Sequence, residues 1–154
     1  MKSIIVMLVA GLLISTVSFA QKITSDKVPS AVQKAFKAKF PKVTDAKWEI
    51  EDKTEYEATF KEDNAARSAS FDKDGKWLET ETIIEVAKLP HEVSETIIKN
   101  FPGYKIKEAT QLEKPGNANL YEVELTKGKK TIEVQLKPTG EIVNKSVETD
   151  HDDD

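Results

Sequence analysis

The sequence contains no cysteine, and that absence rules out several things together. No disulfide framework can staple the fold, so stability has to come from the buried core. A bacterial lipoprotein anchor has no cysteine to carry its lipid, and catalysis has no thiol nucleophile. Histidine is nearly as scarce, with His91 and His151 only. A G-x-S-x-G elbow and a glycine-rich phosphate loop are both missing. The net charge is −4, with lysines interspersed among acids. That leaves no basic stripe to neutralise phosphates and argues against nucleic acid or an anionic membrane surface as a partner. With no nucleophile, metal cluster or cofactor motif assembled, the chain reads as a non-enzyme that needs no cofactor.

What is present begins with an address. Residues 1–20 hold Lys2, an uncharged apolar run from Ile4 to Val17, and the small-residue end Ser18-Phe19-Ala20. This is the pattern of a secretory signal peptide cleaved after Ala20, and the run is short of the ~20 apolar residues a spanning helix needs. The expected location is periplasmic or secreted. The remaining chain is long enough for one ordinary domain or for two small units sharing a surface.

The rest is written twice. Val28-Pro29-Ser30 through Lys39-Phe40-Pro41 returns without a gap as Leu89-Pro90-His91 through Asn100-Phe101-Pro102. Each copy predicts one amphipathic helix. Proline sits at its entry, Phe-Pro at its exit, and a stripe of Val32, Phe36 and Phe40 or of Val93, Ile97 and Phe101 runs between them. After each helix the period shortens to two. Trp48/Ile50, Tyr56/Ala58/Phe60, Ala69/Phe71 and a segment from Lys76 to Ile84 predict four strands, with Trp48, Phe60, Phe71 and Trp77 in the core. The second copy offers 105–112, 120–126, 131–137 and 141–147, with Tyr121, Leu125, Val134 and Leu136 inward. The expected fold is α+β: two tandem repeats, each a helix on one face of its own four-stranded antiparallel sheet. The expected boundaries are a signal peptide at 1–20, a flexible lead-in at 21–27, repeats at 28–86 and 87–147, and an acidic tail at 148–154.

This doubled plan resembles the secreted bacterial PepSY-like proteins, also described as β-lactamase-inhibitor-like (BLIP-like). The resemblance rests on Val28-Pro29, Phe40-Pro41, Trp48, Asp72-Lys73-Asp74-Gly75, Leu89-Pro90, Phe101-Pro102 and Pro138-Thr139-Gly140. It implies a tandem α+β repeat whose strands form one antiparallel, often saddle-shaped surface. It further implies an exported module that binds or inhibits other exported proteins, proteases and β-lactamases among them. The partner expected here is therefore another exported protein, met on the sheet face that the helices leave open. Glu57, Glu122, Glu124 and Glu133 lie on that face by alternation, and Tyr104 is the aromatic contact in a loop that differs between repeats.

An alternative reading is a small-molecule or metal-ion-binding envelope protein, with Asp150, His151 and Asp152 of the tail as weak ligand candidates and no metal site elsewhere. Asp72-Lys73-Asp74-Gly75 superficially matches part of a calcium loop. Its counterpart Lys137-Pro138-Thr139-Gly140 keeps the glycine and drops the carboxylates, so a turn is the reading here. His91, in the first turn of the second helix, is read as a solvated surface histidine.

Overall fold

A computed structural model of the chain describes residues 21–51, 54–116 and 118–148. The signal segment 1–20 and the tail residues Asp150, His151 and Asp152 lie outside the described residues. The order is β1 (Gln21–Ile23), α1 (Ser30–Lys39), β2 (Lys47–Glu51), β3 (Glu55–Glu62), β4 (Ala65–Asp72), β5 (Trp77–Ile83), α2 (His91–Asn100), β6 (Lys105–Lys114), β7 (Ala118–Lys127), β8 (Lys130–Leu136) and β9 (Ile142–Glu148). A single 3-10 turn precedes each helix, at Ser25–Lys27 and Val86–Lys88. Among the described residues no helix is long and apolar enough to cross a membrane.

Both helices begin and end as their prolines dictate, with one adjustment. Pro29 and Pro90 are the N-caps, not the first helical residues, and their carbonyls accept the first helical N–H bonds from Gln33 and Ser94, each at 3.0 Å. Phe40 and Phe101 leave helical geometry at φ −125° and −126°, as residues before proline are driven to do.

The expectation that each repeat has its own four-stranded sheet is overturned. Among the described residues the strands form one nine-stranded antiparallel sheet, in chain order from β1 to β9. The reason lies in β5, which belongs to both repeats. Trp77 to Thr82 pair back onto Phe71 to Arg67 of β4, while Thr80 to Ile83 also pair forward onto Glu113 to Thr110 of β6. The last strand of the first repeat is therefore the first strand of the second. The segment 21–27, read as a flexible lead-in, instead supplies β1, which pairs with β2 from Gln21↔Ile50 to Ile23↔Trp48. β1 occupies at the front of the first repeat the place that the end of β5 occupies at the front of the second.

Both helices cover the same face. Val32, Phe36, Phe40, Trp48, Ala58, Phe60, Ala69 and Phe71 form one core, and Val93, Ile97, Ala109, Val123, Leu125, Ile132, Val134 and Leu136 form the other. The first is aromatic. Phe36 meets the rings of Phe40, Trp48, Phe60 and Phe71 with centroids 5.2–6.3 Å apart, in the tilted and edge-to-face arrangements that aromatic quadrupoles favour. The second is aliphatic on the same backbone plan. Trp77 and Tyr121, expected in these cores, are half-buried at their margins; Lys39 lies 3.5 Å over the Trp77 ring.

The hairpin glycines explain how sheet and helix stay in register. Gly75 and Gly140 have φ of +83° and +81°, and a Cβ on either would stand 2.6 or 2.5 Å from a helix carbonyl, that of Ala31 or of Glu92. Each turn is thus seated against the first turn of its helix, where only glycine fits. Asp72 serves the first of these turns by accepting the amides of Asp74 and Lys76, both at 2.9 Å. Arg67 binds the seam between repeats on the helix side: it pairs with Glu62, donates to Thr82 Oγ1 at 3.1 Å and reaches Glu113 of β6 at 3.7 Å.

Candidate binding surface

Cross-strand partners share a face, so the ladder registers map the side of the sheet away from the helices. One row runs Glu49, Glu57, Ser70, Glu79 across β2 to β5. The next runs Thr59, Ser68, Glu81, Leu112, Leu120 from β3 to β7. Further along, Thr110, Glu122, Gln135 and Asn144 make a third row, and Glu108, Glu124, Glu133 and Ser146 a fourth. Four of the five expected contact residues, Glu57, Glu122, Glu124 and Glu133, therefore lie on one open face. Tyr104 does not join them. Its ring packs edge-on to Phe101 at the margin of the second core, under the Lys127 ammonium at 5.6 Å.

Among the described residues the open face is rich in carboxylates, and several of them are paired. Lys107 holds Glu124 at 2.6 Å, Lys114 holds Glu79 at 3.0 Å, and the Gln135 amide donates to Glu122 at 2.7 Å. Ser68 donates to Glu81 at 3.3 Å, and Ser146 repeats the arrangement with Glu133, also at 3.3 Å, serine and glutamate having changed places between repeats.

Glu81 is the residue that alternation did not single out. Burial pushes its carboxyl up to about 7, and the charges of Glu79, Glu122 and Glu57 add to the rise. Burial is also the main reason that Glu57 is raised, followed by Glu51 and Glu49. The burial has a visible source in the register. Directly opposite Glu81 stands Leu112, only 2% exposed, which belongs to neither helix-side core and has Leu120 as its next neighbour. An apolar spot in the middle of the carboxylates holds water away from Glu81 and favours its neutral form.

The other candidates take ordinary positions. His91 is exposed and sits 3.1 Å from Glu95 one helical turn on. Among the described residues no three His, Asp or Glu side chains converge as metal ligands would.

A duplicated helix-and-strand unit, fused through a shared strand and open on one face, can be set against known proteins. A family model described as "Putative beta-lactamase-inhibitor-like, PepSY-like" matches the chain twice, over residues 16–67 and 54–144. The chain belongs to this family. Solved structures similar to this PepSY-like chain include a BLIP-like protein of Bacteroides fragilis, at 26% identity and TM-score 0.70, covering 82% of this chain and 91% of that one. A DUF2874 family protein of Bacteroides ovatus aligns at 20% identity and TM-score 0.74, covering 81% and 91%. A "putative periplasmic" protein of Bacteroides eggerthii aligns at 20% and 0.72, covering 78% and 88%. No curated protein matches the chain.

Proposed function

We propose that this PepSY-like chain is an exported, non-catalytic binding module that works in the periplasm or outside the cell. Its open sheet face docks another exported protein, which it inhibits or regulates, in the manner expected of partners from the protease or β-lactamase class. The observation that carries this reading is the open face itself. Both helices are committed to the other side, and this side presents carboxylates from β2 to β8 around a buried leucine. The names of the family and of the Bacteroides fragilis relative support the binding role, and the secretory pattern of residues 1–20 supports the location. Such a face steers a cationic partner from a distance and fixes its register on contact.

The test compares the native protein with Glu57→Gln/Glu81→Gln/Glu122→Gln in capture from envelope and secreted fractions at low and high salt. The reading expects a protein held by the native chain, weakened by salt and lost with the neutral face. A protein retained equally by both forms at both salt concentrations would count against the open face.

A further inference from the structure

The two repeats part company at the strand that follows each helix. β6 begins at Lys105, and Lys105 and Ile106 pair with Thr126 and Leu125 of β7. β2 begins only at Lys47, paired with Thr59. The counterparts of Lys105 and Ile106 are Thr44 and Asp45, and these stay outside the ladder, so the end of β3 at Phe60 and Lys61 is not zipped shut. The correspondence is fixed one residue earlier. Val43 and Tyr104 each donate their amide to the carbonyl of the helix-ending phenylalanine at 3.2 Å. At this position the second repeat carries Tyr104, packed at the margin of its core, and the first carries the buried Val43.

The space left open in the first repeat is a cavity of about 430 Å³, within the roughly 300–1,000 Å³ typical of small-molecule sites. Its apolar lining includes Val43, Ala46 and Phe60. Lys42, Lys47 and Lys61 also line it, against a single carboxylate, Asp45. Apolar walls call for an organic body, and the excess of ammonium groups calls for a negative charge on it.

We propose that this cavity binds a small organic anion with a ring-sized apolar body. The body lies against the accessible edges of Phe60, Val43 and Ala46, beside the position where the other repeat carries Tyr104, and the anionic group lies toward the three lysines. The site borders the open face at Lys47 and Thr59 but uses none of its glutamates, so it and docking on that face can each fail without the other.

Benzoate is the probe, followed by amide chemical shifts of the purified protein. The expected result is saturable movement of Val43, Asp45, Ala46 and Phe60, with Ile106 and Leu125 in the other repeat unmoved. Acetate carries the charge without the ring, and benzyl alcohol the ring without the charge; neither should reproduce the response. Lys42→Gln/Lys61→Gln changes two exposed side chains and should raise Kd about fivefold, while Asp45→Asn should lower it about twofold. Shifts that never saturate, that spread equally over both repeats, that benzyl alcohol reproduces, or that ignore the lysine substitutions would overturn the proposal.

Discussion

Glu81→Gln removes a carboxylate that this fold accommodates poorly. The Glu81 carboxyl titrates at about 7 in the folded protein, against 4.5 for an ordinary glutamate. Between those pH values the native chain holds a proton that the unfolded chain has released, so stability falls as pH rises through the window. Above about 7 the folded state carries the full cost of a charged Glu81. At 1.36 kcal/mol per pH unit the rise corresponds to about 3 kcal/mol. Water still reaches part of the side chain and screens it, which leaves about 1–2 kcal/mol as the realistic stability effect. Glutamine keeps the shape and can still accept the Ser68 hydroxyl. The variant should therefore match the native protein near pH 4.5 and exceed it at pH 8 by about 1–2 kcal/mol, or roughly 3–6 °C in Tm. Urea unfolding of both proteins at pH 4.5, 6 and 8 makes the comparison. An advantage independent of pH, or a variant less stable at pH 8, would refute the argument from burial and neighbouring charge.

Phe36→Ala empties the centre of the aromatic core and should cost about 3–5 kcal/mol in chemical denaturation. Gly75→Ala places a methyl against the Ala31 carbonyl at positive φ and should cost about 2–3 kcal/mol. Gly128→Ala, with nothing within 4 Å of its Cβ, should cost no more than about 1 kcal/mol. Arg67→Ala leaves Glu62 half-buried without its partner and removes the side-chain links from β4 to Thr82 of β5 and Glu113 of β6, a loss of about 2 kcal/mol that equilibrium unfolding would detect.

The helices and hairpins were legible because their signals are local. Proline and Phe-Pro bound each helix within a few residues, and Gly75 and Gly140 mark their turns whatever the rest of the chain does. The family resemblance implied one continuous surface, but the sharing of β5 was not legible in the residues, because its pairing with β6 is a long-range contact that no local pattern encodes. β5 hides its own faces as well. A bulge at Leu78 shifts its alternation, and its helix side then carries Thr80 and Thr82, so there is no apolar period to place Glu79 and Glu81 on the open side. β1 escaped notice for a related reason: a three-residue edge strand is held through its backbone, and the polar Gln21 and Lys22 give no hydrophobic cue. The face of Glu57, Glu122, Glu124 and Glu133 followed from alternation alone. Tyr104 could not be assigned to a side until the helix exit was seen to turn it against Phe101.

The most direct test of the binding claim is site-specific photo-crosslinking in intact cells. A crosslinker at Glu108 or Asn144, exposed on the open face, is compared with one at Lys37 or Lys99, exposed on the helices. The account predicts a discrete protein adduct from the open-face positions, absent from the helix positions and lost when Glu57, Glu81 and Glu122 are all glutamine. Adducts that form equally from the helices, or none from the open face, would contradict it.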